Sequence, residues 1–334
     1  MAVAIGLSAA SRENPRQWKA RSDHGEANEP GDCRAPPNGG DSAVKPASFE
    51  YDDPTTVEET LDLLDKYGDD CKILAGGQSL VPMMNFRLAK PTRLIDINRI
   101  DSLSQIGRDG DYLTIGALTR HATVEHSPEV AKISPLLTQA IEWVGHSQIR
   151  NRGTVGGSTA HADPAAELPA AFAALDAQFR ARSRRGERVL GWQDFFISTF
   201  TTALRPDELL VAVRIPIQPP DTGTAFVEFA RRHGDFALGG AAVTLSLDQA
   251  GLCTHISIAL LAAGATPVRC SSAEQLLRGA VPTEPAIRDA ARAAVEGLHP
   301  TSDLHGSSEY RVGLLSVMTE RALTQAVQHA RSVP

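Results

Sequence analysis

The sequence predicts an α+β protein with a large N-terminal domain and a smaller C-terminal one. Strand-like and helix-like stretches mix without the strict rhythm of a doubly wound sheet. A proline-rich connector, Pro216-Ile217-Gln218-Pro219-Pro220-Asp221-Thr222-Gly223, interrupts the pattern late in the chain. At 334 residues and 42% hydrophobic, the chain is long enough for more than one domain with a sizeable core.

Residues 1–44 mix proline, glycine and charge with few large apolar side chains, a composition that does not offset the entropy of ordering. They are expected to be a disordered tail, or to precede a true start at Val44 read from a GTG codon. From Phe49 the pattern becomes regular. Pro54-Thr55-Thr56-Val57-Glu58-Glu59 followed by TLDLLDKYG reads as a capped amphipathic helix ending near Gly68. Lys72-Ile73-Leu74-Ala75 is a short buried strand that runs into Gly76-Gly77, and Ser79 to Met84 suits a helical turn. Arg93 to Ile97 and Tyr112 to Ile115 read as further strands, and 129–145 carries one helical period that stops at Gly145. Beyond the connector come strands over 225–229, 242–247 and 255–261, then helices near 285–296 and 309–331. That tail predicts an antiparallel sheet covered by helices. The expected domains are 45–220, in two parts of about 45–100 and 101–220, and 222–330.

The formal charge of −7 gives no basic footprint for nucleic acid. No apolar run approaches the ~18–20 residues that span a bilayer, and the N-terminus carries no export signal, so a cytoplasmic protein is expected. The four cysteines (Cys33, Cys71, Cys253, Cys270) form no CxxC pair, and the histidines form no HExxH. A disulfide framework, a zinc site and a ligated iron–sulfur cluster are not expected in this chain.

Two glycine doublets stand out. One lies in Leu74-Ala75-Gly76-Gly77-Gln78-Ser79-Leu80-Val81, at a strand-to-helix junction; the other lies in Thr154-Val155-Gly156-Gly157-Ser158. Glycine lets the backbone approach a ligand closely, so that successive N–H groups line one concavity, and a helix N-terminus adds partial positive charge for a phosphate. The hydroxyls of Ser79, Thr154 and Ser158 are further donors. Two such bends converging on one diphosphate would hold a dinucleotide, and a branched Cβ at Gly76 or Gly156 is expected to block it. Neither GxGxxG with its downstream acid nor GxxxxGK[ST] is present.

LAGGQSLVPMMNFRLAKPTRLIDINRI (74–100) and RNRGTVGGSTAHADPAAELPA (150–170) closely resemble the FAD-binding medium subunit of molybdenum hydroxylases. That family includes the flavoprotein of aerobic carbon monoxide dehydrogenase and the flavin domain of xanthine dehydrogenase. The resemblance continues through Gly191-Trp192-Gln193-Asp194-Phe195-Phe196, Glu208-Leu209-Leu210 and Arg231-Arg232-His233-Gly234-Asp235-Phe236-Ala237, covering about residues 46–300.

The resemblance implies a two-subdomain FAD-binding domain of the vanillyl-alcohol-oxidase (PCMH) type and a small C-terminal α+β domain. It implies that Leu74 to Val81 and Thr154 to Ser158 surround the diphosphate, with Val144 and Glu167 also at the cofactor and Leu210 near the isoalloxazine. Asp163 either joins this set or caps a helix opening near Pro164; His161 stays open in the same way. One departure is visible: where xanthine dehydrogenase carries a flavin-contacting lysine, this chain has Val227-Glu228. The implied activity is electron transfer from [2Fe-2S] clusters of a small partner subunit, through FAD, to an external acceptor. A large partner subunit would hold the molybdopterin cofactor, in a dimer of heterotrimers. A free-standing FAD oxidoreductase and a flavin-free scaffold subunit remain as alternatives.

Overall fold

The computed structural model describes residues 45–332. The segment 1–44, and with it the expected tail or the start at Val44, lies outside them. β1 (Glu50–Asp52), α1 (Val57–Tyr67), β2 (Cys71–Leu74), α2 (Leu80–Asn85) and β3 (Arg93–Asp96) build a three-stranded parallel sheet ordered β1-β3-β2. The caps of α1 are local chemistry. Thr56 Oγ1 accepts from the Glu59 N–H at 3.1 Å, the Glu59 carboxylate accepts from the Thr55 N–H at 2.8 Å, and Gly68 ends the helix at φ 50°. Val57, Leu61 and Leu64 of α1 pack with Ile95 and Ile97, which fixes where β2 releases the chain into Gly76.

β4 (Ile106–Asp109) and β5 (Tyr112–Gly116) open a second sheet. A helical stretch follows: α3 (His121–Glu125), α4 (Pro128–Ile133), α5 (Pro135–Ile141), α6 (Ser147–Arg150), α7 (Val155–His161) and α8 (Glu167–Ala174). The hairpin β6 (Gln178–Ser183) and β7 (Gly186–Gly191), the turn α9 (Trp192–Phe195) and the ribbon β8 (Phe196–Ser198) with β9 (Thr201–Thr202) lead to β10 (Leu209–Pro216). β10 inserts at the centre of a five-stranded antiparallel sheet, β4-β5-β10-β6-β7. The single helix expected over 129–145 is broken in two. Pro135 has no N–H to continue the ladder and its ring disfavours a helical Ser134, which sits at φ −141°.

β11 (Gly223–Phe229), β12 (Gly239–Leu247), β13 (Cys253–Leu261) and β14 (Val268–Arg269) form an antiparallel sheet in that order. α10 (Ser271–Leu277), α11 (Glu284–Ala293) and α12 (Ser308–Ser332) complete the chain. One face of the sheet buries Val243, Leu245, Ile256 and Ile258 against Leu315, Leu323 and Ala326 of α12. From the other face Phe226, Ala242, Ala259 and Leu261 join the same core as Leu168 and Phe172 of α8, so apolar packing runs unbroken across the connector. Among the described residues no helix is long and apolar enough to cross a membrane.

Candidate functional site

The two glycine segments touch. A Cβ on Gly76 would stand 2.5 Å from the Arg152 carbonyl oxygen and 2.9 Å from Gly153 Cα. A Cβ on Gly157 would lie 3.9 Å from that of Ala75. At Gly77 the chain turns through φ +72°, between the side chains of Leu74 and Val81. The N–H groups of Gly76, Gly77, Gln78 and Ser79 find no acceptor among the described residues, and the Ser79 hydroxyl does not cap α2. Four successive free donors around a left-handed glycine make a concavity suited to an anion.

The second segment is built differently. Its amides are already engaged: Val155 donates to Thr119 O at 3.0 Å, Gly156 to Ala117 O at 2.8 Å, Gly157 to Thr154 Oγ1 at 3.0 Å and Ser158 to Thr154 O at 3.0 Å. The expectation that both doublets offer a row of main-chain donors is therefore corrected. The first offers it, and the second spends its amides anchoring α7. The expected effect of a branched residue changes with it. A Cβ on Gly156 would meet Ala117 Cβ at 2.5 Å and Ala117 O at 2.7 Å, and one on Gly76 the Arg152 carbonyl oxygen, so Gly76 and Gly156 admit neighbouring chain at their Cβ positions, not a ligand. Thr154 caps α7 with its oxygen and keeps only its O–H to give. Ser158 is half-buried beside it.

A side-chain relay absent from the sequence reading fastens the two segments. Arg120 Nη1 donates to the Arg152 carbonyl and Nη2 to Asn98 Oδ1 at 2.6 Å. Asn98 Nδ2 donates to the Ala75 carbonyl at 2.8 Å and to Asp96 Oδ1 at 2.6 Å. One guanidinium thus holds the second segment directly and the first through Asn98. Burial first, then the neighbouring Arg152 guanidinium, lowers the Arg120 pKa. The Arg152 side chain itself is exposed and has no partner among the described residues. Arg150 is committed elsewhere, with its Nε 2.7 Å from the Glu125 carboxylate and its Nη1 on the carbonyls of Val144 and Gly145. The visible signal for the relay was Arg120-His121 interrupting an apolar stretch.

The remaining expected residues flank this junction. Val144 is buried at the turn after α5. Leu210 is buried on β10, which packs against α7, next to a bulge at Val211. Asp163 Oδ1 accepts from the Ala165 N–H at 2.9 Å, so its carboxylate closes the turn before α8. The helix itself opens at Glu167 rather than near Pro164. His161 packs against Phe200 with ring centroids 4.9 Å apart and the planes tilted by 34°. Glu167 is buried, and that burial raises its carboxyl pKa.

Residues 47–218 match the family described as the FAD binding domain in molybdopterin dehydrogenase, and residues 224–326 the C-terminal domain of CO dehydrogenase flavoprotein. The chain belongs to this flavoprotein family. Subunit alpha of the 6-hydroxypseudooxynicotine dehydrogenase complex of Paenarthrobacter nicotinovorans is 46% identical, over 86% of this chain and 97% of its own. Caffeine dehydrogenase subunit beta of Pseudomonas sp. (strain CBB1) is 40% identical, over 85% and 96%. A solved carbon monoxide dehydrogenase from Hydrogenophaga pseudoflava, lacking the Mo-pyranopterin moiety of its molybdenum cofactor, superposes with a TM-score of 0.83. It is 39% identical, over 85% of this chain and 99% of that one.

The junction in this flavoprotein fits the family's cofactor on its own geometry. Unpartnered amides at Gly76 to Ser79, with the Arg120 guanidinium on the carbonyl that faces Gly76, suit a diphosphate. The departure at Glu228 is also resolved: it is a buried acid with both carboxylate oxygens lacking a partner among the described residues. Among the described residues no basic side chain pairs with it.

Proposed function

We propose that this chain is the FAD-holding electron-transfer subunit of a molybdenum hydroxylase. The observation that carries the reading is the row of free amides from Gly76 to Ser79, held against residues 152–158 by Arg120. In this reading Leu74, Ala75, Gly76, Gly77, Gln78, Ser79, Leu80 and Val81 wrap one side of the diphosphate. Thr154, Val155, Gly156, Gly157 and Ser158 back it, with a Cβ on Gly157 falling 3.9 Å from that of Ala75 in the first loop. Val144, Asp163, Glu167 and Leu210 complete the cofactor surroundings. The domains are taken as 45–220, with parts of about 45–100 and 101–220, and 222–330.

Bound FAD supplies the electron-carrying chemistry. The protein's own residues bind and orient it: the amides donate to phosphate oxygens, Ser79 and Ser158 offer hydroxyls, and Arg120 keeps the two segments at a fixed separation. Electrons reach the site from [2Fe-2S] clusters of a small subunit and leave to an external acceptor, while the molybdopterin cofactor resides in a large subunit. The complex is a dimer of such heterotrimers in the cytoplasm. The relatives named above as subunits of larger enzymes support this division of labour.

The purified chain should be yellow, release FAD on denaturation, and contain neither iron nor molybdenum. Expressed with its partners, it should co-purify with an iron–sulfur chain. A colourless protein that leaves FAD fluorescence unquenched overturns the reading. A yellow protein that turns over substrate alone would make it a self-contained enzyme.

A further inference from the structure

Glu228 and Glu167 lie at the seam between the C-terminal sheet and the rest of the molecule: Glu228 pairs across the sheet with Gly240 and Gly240 with Leu261, and the next residue, Ala262, donates its N–H to the Pro164 carbonyl at 2.8 Å, just before Glu167 opens α8. Side chains alternate along β11: Ala225 and Val227 pack toward α12, while Phe226 enters the core shared with α5, α8 and β10. Period two turns Glu228 the same way as Phe226. Glu228 is 5% exposed, and neither carboxylate oxygen has a hydrogen-bond partner among the described residues. Glu167, at the start of α8, is the charged group that acts on it, and Asp163 in turn acts on Glu167. No basic side chain among the described residues offsets either carboxyl.

Of the elements packed around the pair, α12 covers the opposite face of β11, where Arg311 is bonded to the Leu238 carbonyl and to Asp303, and His329 to the Thr224 carbonyl; Arg214 of β10 lies over the Tyr112 ring. α5 and β12 contain no ionisable residue. On β13, Cys253 and His255 lie at the end away from Leu261, which is the residue that pairs with Gly240 beside Glu228. His161 responds to Asp163 and not to the pair. Two neighbouring buried carboxylates without a cation are costly when both are ionised, and a shared site of this kind retains a proton.

We propose that Glu228 and Glu167 form a buried proton-binding site that holds a proton in common at neutral pH and presents it to the cofactor. The clause on the cofactor rests on the FAD reading above; the proton site does not. Burial, then repulsion from Glu167, pushes the Glu228 carboxyl well above the usual range, and burial pushes Glu167 upward as well. Protonated, Glu228 becomes a hydrogen-bond donor where a carboxylate only accepts. Negative charge gained by a neighbouring flavin favours the protonated pair, so proton occupancy here is linked to the flavin's electron occupancy.

The test uses the full chain as purified, wild type beside Glu228→Gln and Glu167→Gln. Infrared spectra from mildly acidic to alkaline pH read the C=O band of a protonated carboxylic acid. The wild type should show this band at neutral pH and lose it only in alkali, and Glu228→Gln should remove it. A wild type without the band at neutral pH overturns the site. Glu167→Gln relieves the repulsion, so the band should vanish roughly one to three pH units earlier; an unmoved midpoint removes Glu167 from the proposal. Reducing the bound flavin with dithionite should shift or strengthen the band. A band blind to reduction overturns the link to the cofactor. A protein that purifies without flavin defeats the FAD reading instead, and its titration still judges the pair.

Discussion

Arg120 does what no hydrophobic residue at its position can do. Its planar fork reaches the Arg152 carbonyl with one nitrogen and Asn98 with another, and Asn98 passes the restraint on to Ala75. Lysine has the charge but not the fork, so it can satisfy one acceptor only, leaving the loops free to part. A charge-assisted hydrogen bond of this kind is worth ~1.5–3 kcal/mol, and each ~1.4 kcal/mol is a factor of ten in affinity. Arg120→Lys is therefore expected to weaken FAD binding by about tenfold or more, measured by fluorescence quenching. Asn98→Ala should weaken it too, and the double variant should lose less than the sum, because both residues belong to one relay. Strict additivity would mean that the two act separately.

The helix α3 supports the second glycine segment from beneath through His121. The His121 ring is 3% exposed, its nitrogens make no hydrogen bond of normal geometry, and a Cβ on Gly153 would stand 2.8 Å from Nδ1. Burial, before any neighbouring charge, pulls its pKa down to about 4. Between about 4 and the ordinary 6.5 the unfolded chain binds a proton that the folded chain refuses. The stability this neutral histidine allows is thus present above the unfolded pKa and lost as pH falls toward the folded one, by up to ~3 kcal/mol. Urea unfolding of the wild type should show this acid-side loss, and His121→Phe should flatten the profile in that window. An unchanged slope in the variant would assign the acid sensitivity to other groups. α1 was fully legible in the sequence because its signals, Thr56, Glu59 and Gly68, lie within the helix they bound. The break at Pro135 was legible in principle, since proline's missing donor is local, yet the apolar period continues through it. The hairpin β6–β7 alternates Phe179 and Ala181 inward with Arg180 and Arg182 outward, a pattern obscured by its charge. The resemblance named residues at both glycine segments, but not that one has free amides and the other spent ones. That difference depends on Ala117 and Thr119, which reach the segment only in three dimensions. Asn98 and Arg120 escaped for the same reason.

At the scale of the whole molecule, the question is whether the C-terminal sheet is a separable unit. Its inner face contributes Phe226, Ala242, Ala259 and Leu261 to the core that contains Leu168 and Phe172, so parting the two halves exposes apolar surface on both sides. Arg269 of β14 adds a polar tie across the same seam. Its Nη1 donates to the Ala173 carbonyl at 2.9 Å and to Asp176 Oδ1 at 2.8 Å, while its Nε is bound to the buried Glu274 carboxylate. A short connector alone would permit independent unfolding, whereas a shared core with the Arg269 tie to Ala173 and Asp176 across it opposes it. Calorimetry of the full chain should therefore show one transition whose calorimetric and van't Hoff enthalpies agree. Arg269→Leu strands the Glu274 carboxylate and should cost about 3 kcal/mol. It should lower that single transition without splitting it, because the apolar seam survives the substitution. Two resolved transitions in the wild type would show that the sheet folds by itself; a split only in Arg269→Leu would place the coupling in the ion pair and not in the shared core.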